Sequence, residues 1–354
     1  MQRIKKSDTM LSTQMKVRAV VEPKKKGKEE RDGDFERIIH SGSTLLDLVI
    51  SGDRVHGGGL PSGILVEIFG PSGSGKTVLL SELAGDVQRS GGSILFNDPE
   101  GRLNPRFAKI FGLELKKGSY SMPDTVPEVF KAVRAWTPEG KNIIHGIFAD
   151  SLAALSTDME MDAKDGDKMG MRRAKEFSEE LRKTCRLLKQ KGYLMVCSNQ
   201  VRENLDAGMY GQKFKAPGGM AMEFYSSLRL RTFNPEKIYE IQKVAGKEVK
   251  RVVGVNVQIE VSKSSISKPY RSAPVTIIFD YGVDDIRQNI KYIKTYTKAT
   301  TYVLGGKNIG KSLNEAIDYI EENHLELELK EEVISLWEKI EKKFDSNRKP
   351  KIRE

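Results

Sequence analysis

From Ser41 onward, short apolar runs alternate with stretches of helical spacing. Ile64–Phe69 reads as a short buried strand ending in Gly70. Thr77–Arg89 follows with helical spacing, Leu79, Leu80, Leu83 and Val87 falling on one side. Ser93–Phe96 and Ile143–Ala149 are again strand-like, Lys175–Lys189 is an amphipathic helix, and Tyr193–Ser198 is another strand. Ser226–Thr232 and Val253–Val261 alternate as half-exposed strands do, and Val275–Phe279 follows. Strand and helix alternating in this way predict an α/β fold with a mainly parallel central sheet and helices on both faces. Parallel strands are covered on both sides, which fits their near-continuous apolar runs.

The ends of the chain have a different texture. Residues 1–40 carry eleven Lys/Arg and seven Asp/Glu, with the run Lys24-Lys25-Lys26-Gly27-Lys28 in the middle. Such a run is either a solvated tail or a contact segment for a neighbouring subunit. Beyond Asp284 come two or three amphipathic helices and a Gly305-Gly306 turn, and Ser346–Glu354 is basic and interrupted by Pro350. The expected organisation is a basic arm over 1–40, a core over 41–283, a small C-terminal α/β domain over 284–345 and a tail over 346–354.

Composition narrows the classes. Of 354 residues 38% are apolar, enough for a core, and the net charge of +10 fits a phosphate-rich partner. Two cysteines and four scattered histidines build neither a disulfide framework nor a zinc site. No apolar run approaches the ~20 residues of a membrane helix, and no apolar stretch follows the charges of MQRIKKSDTM, so the expected location is the cytoplasm, without membrane contact.

The segment Gly70-Pro71-Ser72-Gly73-Ser74-Gly75-Lys76-Thr77 fits G-x-x-x-x-G-K-[ST]. Glycines let successive N–H groups turn inward around a phosphate, and the following helix points its positive end at the same anion. In that setting Lys76 reaches the β- and γ-oxygens of ATP, and the Thr77 hydroxyl serves Mg²⁺. A strand before and a helix after supply the required context. The Mg²⁺ shell needs an acid at the end of another strand, where Asp150 stands, followed by Ser151. Hydrolysis needs a base, and Glu100 lies just past the strand Ser93–Phe96. On position alone, Glu100 or Asp98 could equally cap the next turn.

Three segments together carry a resemblance. They are the phosphate loop preceded by Gly57-Gly58-Gly59-Leu60-Pro61-Ser62-Gly63, the strand end Asp98-Pro99-Glu100, and Tyr193–Ser198 running into Asn199-Gln200-Val201-Arg202. With Met222–Leu230, the chain resembles the RecA family of homologous recombinases from about Ser41 to Phe344. The resemblance implies a RecA-like P-loop ATPase core. It makes Glu100 the water-activating carboxylate and Gln200 the γ-phosphate sensor that signals to a DNA-binding loop. Asn104 and Phe107 take positions near the adenine, where the family usually has an acid and a tyrosine. Lys263 matches a lysine reaching into the neighbouring subunit's ATP. A second such lysine aligns with Ser265, a departure for which Lys268 or Arg271 could substitute.

Two DNA-facing loops are also implied. The first runs from about Thr157 to Met169 and leads into a helix on which Lys175, Ser178 and Arg182 share a face suited to phosphate oxygens. The second runs from Val201 to Gly219 and contains Arg202, Tyr210, Gly218 and Gly219. Tyr210 could stack on bases or pack against the next subunit. The implied activity is ATP-dependent polymerisation on single-stranded DNA as a helical filament, then pairing with double-stranded DNA and strand exchange, in recombination, repair and damage sensing. Two alternatives stay open: a ring-forming motor resembling a replicative helicase, and a non-catalytic, ATP-gated DNA-coating protein. The family's bacterial members often end in an acidic tail, whereas Asn347–Glu354 is basic. Deleting residues 346–354 is therefore expected to weaken binding to duplex DNA and flatten its salt dependence, measured by salt titration of DNA affinity; unchanged affinities and slopes would contradict this.

Overall fold

The computed structural model describes residues 35, 37–140, 142–152, 155, 169–200, 202–203, 214–215, 220–297, 299–345 and 348. Residues 1–34 and 36 of the expected basic arm, most of the first DNA loop, and Tyr210, Gly218 and Gly219 lie outside the described residues.

The chain opens with β1 (Ile38–Ile39), α1 (Thr44–Ser51), β2 (Leu60–Pro61), β3 (Leu65–Gly70), α2 (Lys76–Arg89) and β4 (Ile94–Asn97). Next come α3 (Pro105–Ile110), β5 (Tyr120–Ser121), α4 (Val126–Ala135), β6 (His145–Ala149), α5 (Met169–Lys191) and β7 (Tyr193–Gln200). The short β8 (Arg202–Glu203) and β9 (Phe214–Lys215) pair with each other, and α6 (Met220–Tyr225) leads into β10 (Leu228–Val244), β11 (Lys247–Ser264), β12 (Ser272–Ile278) and β13 (Gly282–Val283). The C-terminal part holds α7 (Asp285–Thr297), β14 (Tyr302–Leu304), β15 (Lys307–Gly310), α8 (Leu313–Asn323) and α9 (Glu326–Glu341).

The expected α/β architecture is present. Nine strands form one sheet in the order β13-β12-β11-β10-β3-β7-β6-β4-β5. From β10 to β5 every neighbouring pair is parallel, while β11, β12 and β13 add antiparallel strands at one side. Alternation along β3 explains the two-sided covering. Val66 and Ile68 face a core with Leu79, Leu83 and Val87 of α2, while Leu65 faces the other with Phe130 of α4 and Phe177 and Leu181 of α5. Each such buried side chain contributes about 1.5–3 kcal/mol of transfer free energy.

Several elements differ from the pattern reading. The eight residues of α1 are all buried, so the helix shows no polar face to mark it, and Ser43 caps it by accepting from the Leu46 N–H. The α4 helix, announced by a capping box between Thr125 and Glu128, also lies outside that reading. The strands β10 and β11 are 17 and 18 residues long, well beyond the predicted segments. Their outer halves pair only with each other, turning at Ala245 and Gly246 with φ of 52° and 78°, which matches a hairpin turn. Gly305-Gly306 likewise turns a hairpin, between β14 and β15, and does not join helices.

The parallel register sets the working end of the sheet. Gly70 stands opposite Gln200, Asn97 opposite Ala149, and Ala149 opposite Cys197. The residues that follow these strands therefore emerge at one edge, where ligands of open α/β sheets bind. Burial beneath this edge raises both thiols above their ordinary value: Cys197 is fully buried, and Cys185 is pushed up to about 11. Both should resist alkylation in the native chain at pH 8, with Cys185 reacting about tenfold faster per pH unit as the pH rises toward that value. A fast native reaction at pH 8 would contradict this packing.

Candidate nucleotide-binding site

The loop Gly70–Thr77 connects β3 to α2. Gly75 precedes the helix with φ of 78°, and a Cβ there would lie 2.2 Å from Ile277 Cδ1, so both conformation and space require glycine. A Cβ on Gly70 would meet Thr232 Oγ1 at 2.0 Å. Ser74 ties the loop down: its hydroxyl donates to the Pro71 carbonyl at 2.7 Å and shares a hydrogen bond with Thr232 Oγ1. Gly73 has nothing near its Cβ position, and the apex carrying Ser72 is exposed.

Lys76 is buried, and its ammonium donates to the Gly70 and Pro71 carbonyls at 3.1 and 2.7 Å. Burial lowers its pKa, Asp150 and Glu100 oppose that shift, and Arg102 reinforces it. Thr77 Oγ1 donates to Asp150 Oδ2 at 2.5 Å, and the Ser198 hydroxyl donates to Asp150 Oδ1. Burial raises the Asp150 pKa, those two hydrogen bonds lower it, and the Asp98 and Glu100 charges raise it further. A hydroxyl beside a carboxylate is a hard oxygen set, which fits a Mg²⁺ ion that keeps several waters and phosphate ligands. Thr77 and Asp150 would hold that ion, which would supply charge neutralisation at the phosphates.

The turn after β4 separates its two acids. Asp98 caps the turn: its Oδ2 accepts from the Leu103 N–H at 2.8 Å and the Tyr120 hydroxyl at 2.9 Å. Burial and this carboxylate push Tyr120 up to about 12. Glu100 is instead aimed at the end of β6, where Ser151 Oγ donates to its Oε1 at 3.0 Å. Its Oε2 is paired with Arg102. Asn104 caps α3 by accepting from the Phe107 N–H at 2.9 Å. Phe107 lines a cavity of about 210 Å³ beside α2, together with Val78, Phe111, Ile277, Phe279 and Asp280. The lining is mainly apolar, and its β12 side is not marked by any motif.

Gln200 ends β7 directly beside Gly70. Behind it, the Asn199 amide donates to the fully buried Glu67 at 2.9 Å, and Arg229 Nε donates to the other Glu67 oxygen at 2.6 Å. The Arg229 guanidinium also stacks 4.3 Å from the centre of the Phe69 ring. Glu67 belongs to no recognisable motif, and although Ser198 and Arg229 fall in segments that carry the family resemblance, the partners of all three are set by sheet pairing.

The remaining predicted residues lie apart from the loop. Met169 begins α5; Lys175 and Arg182 are exposed and Ser178 half-buried, opposite the buried Phe177, Leu181 and Leu188, and Glu179 is exposed beside them. Arg202 pairs through its backbone with Lys215 in β8–β9. Lys263 donates to the carbonyls of Glu223 and Phe224 at 2.5 and 3.0 Å, at the end of α6. Burial lowers its pKa, with Arg229 assisting and Glu223 opposing. Ser265 donates to the Ser227 carbonyl. Arg271 is committed to Asp53 and Glu341 and packs over Trp337, whereas Lys268 is exposed, 3.7 Å from Asp345.

The sequence model described as the RecA N-terminal domain matches residues 3–284, most of the chain. The chain belongs to the RecA family. Among curated relatives, the Protein RecA of Borrelia turicatae (strain 91E135) is 33% identical over 299 residues, covering 82% of this chain and 78% of that protein. The Protein RecA of Borrelia duttonii (strain Ly) is 30% identical over 292 residues, covering 81% and 77%. That of Gloeothece citriformis (strain PCC 7424) is 30% identical over 308 residues, covering 84% and 82%. The α/β sheet with its phosphate loop is the RecA-like core. No described helix is long and apolar enough to cross a membrane.

The Glu67 pair gives a stability test. Arg229→Met leaves a buried carboxylate short of its cation and should cost about 3–5 kcal/mol in urea unfolding, whereas adding Glu67→Gln should restore much of the loss. Equal stability of wild type and Arg229→Met would show that Glu67 does not need its partner.

Proposed function

We propose that this chain is a DNA-dependent ATPase acting as a homologous recombinase. The observation that carries the reading is the pairing of Gly70 with Gln200, which sets the phosphate loop beside the start of the second DNA loop. Subunits polymerise on single-stranded DNA with ATP between neighbours, Lys263 exchanging its own α6 carbonyls for the next subunit's nucleotide. Residues 1–40 bridge subunits, 41–283 carry the ATPase and DNA loops, and 284–345 form the small C-terminal domain. The γ-phosphate at Gln200 orders the second loop, and the filament then tests duplex DNA by base pairing and exchanges strands. Lys175, Ser178, Arg182 and Arg202 hold DNA backbone, with Met169, Tyr210, Gly218 and Gly219 shaping the two loops. The RecA relatives and the net charge of +10 support nucleic acid as the partner and the cytoplasm as the place.

Glu100 takes the proton of the attacking water. Lys76 holds the phosphate and offsets its charge, Thr77 and Asp150 hold Mg²⁺, and Phe107 with Asn104 flanks the adenine slot. Support for Glu100 comes from the division of labour in its turn, where Asp98 is used up as the cap and Glu100 is not. The test is ATP turnover with and without single-stranded DNA, with images of the same samples in a non-hydrolysable analogue. The expected result is DNA-stimulated turnover and helical filaments. Closed rings would instead identify a motor, and filaments without turnover a coating protein. Glu100→Gln should retain ATP-dependent DNA binding while turnover falls by about 10²–10⁴-fold; persistent hydrolysis would remove the base assignment.

A further inference from the structure

Arg102 lies two residues beyond Glu100, in a turn that the phosphate-loop motif does not include. Its guanidinium pairs with Glu100 Oε2, and the Ser151 hydroxyl donates to Oε1 at 3.0 Å. The two carboxylate oxygens are thus held from different elements, one by the turn itself and one by the end of β6. The Glu100 side chain is 17% exposed and that of Arg102 is 65% exposed. The turn beneath them is braced by Gly101 N–H donating to the Asp98 carbonyl at 3.0 Å and Leu103 N–H donating to Asp98 Oδ2 at 2.8 Å. The Arg102 backbone is therefore fixed between two bonded neighbours.

Charge gives this arrangement its meaning. Glu100 shares the sheet edge with Asp98 and Asp150, and a polyphosphate substrate adds further negative charge. Lys76, the buried cation of this edge, spends its ammonium on the Gly70 and Pro71 carbonyls. Among the described residues, Arg102 is the cation paired with Glu100. A carboxylate with one donor on each oxygen keeps its rotamer against that repulsion and still has free lone pairs for a water.

We propose that Arg102 is a positioning residue that holds the Glu100 carboxylate in place to accept the water proton. The assignment rests on the reading of Glu100 as the base. Arg102 acts through Glu100 and does not hold nucleotide. An ion pair this exposed adds little to folding stability, so its removal should leave the melting temperature in place. Guanidinium orients through a planar fork, whereas ammonium supplies charge alone, so Arg102→Lys should recover part of the effect.

The experiment compares full-length wild type, Arg102→Ala, Arg102→Lys, Glu100→Gln and the double variant Arg102→Ala/Glu100→Gln. It measures kcat and KM for ATP at saturating single-stranded DNA, equilibrium affinity for a fluorescent ADP analogue, and melting temperature. Arg102→Ala should lower kcat by about 10-fold to 10²-fold, the upper figure being the cost of a catalytic group misplaced by about 1 Å, with analogue affinity and melting temperature unchanged. Arg102→Lys should fall between the two, and Arg102→Ala should add nothing to Glu100→Gln. Full or increased kcat in Arg102→Ala would overturn the proposal, and so would a loss of analogue affinity matching the loss of rate. Glu100→Gln turning over at the wild-type rate would remove the base reading, and this proposal with it. Glu100→Gln inactive beside a fully active Arg102→Ala would remove only the role of Arg102.

Discussion

The buried carboxylate of Glu67 is the constraint on which the site depends. It lies in the middle of β3, fully enclosed, and must be paired and hydrogen-bonded to stay charged there. Its two partners come from the strands on either side, Asn199 from β7 and Arg229 from β10. A one-residue slip of either strand would turn its partner to the opposite face and strand the charge. The same register that satisfies Glu67 sets Gly70 opposite Gln200. A structural requirement within the sheet thus fixes the relation between the phosphate loop and the chain that leaves β7.

The edge above is arranged around like charges. Asp98, Glu100 and Asp150 emerge from neighbouring strands, and each is given different partners. Asp98 accepts a backbone N–H and a phenol, Asp150 accepts two hydroxyls, and Glu100 accepts a hydroxyl and a guanidinium. These environments set the capping acid Asp98 apart from Asp150 and Glu100, to which the proposed function gives the cation and the water proton. The cavity flanked by Phe107 and Ile277 adds an apolar surface beside α2, next to the phosphate loop and these acids.

Local signals made part of this legible. The phosphate loop is contiguous, so Lys76 and Thr77 could be read directly, and Asp150 could be read as an acid at a strand end. Nothing local distinguished Asp98 from Glu100, because both lie in the same turn and the difference is which distant group each one meets. The roles of Ser198, Arg229 and Glu67 could not be read locally, since their partners are brought in by strand pairing across the sheet. The helix α1 escaped the pattern because burial on all sides removes the polar face that periodicity detects. The outer half of β10–β11 escaped it for the opposite reason, having no buried face to impose alternation.

In the proposed function, nucleotide state passes from the phosphate loop to the DNA-binding loop through Gln200. The most direct measurement is the affinity for single-stranded DNA of wild type and Gln200→Ala, each with a non-hydrolysable ATP analogue and with ADP. Wild type is expected to bind at least about tenfold tighter with the analogue, a coupling of ordinary size, whereas Gln200→Ala binds nucleotide but loses this difference. A Gln200→Ala variant that keeps the full difference between the two nucleotides would show that the signal does not pass through Gln200.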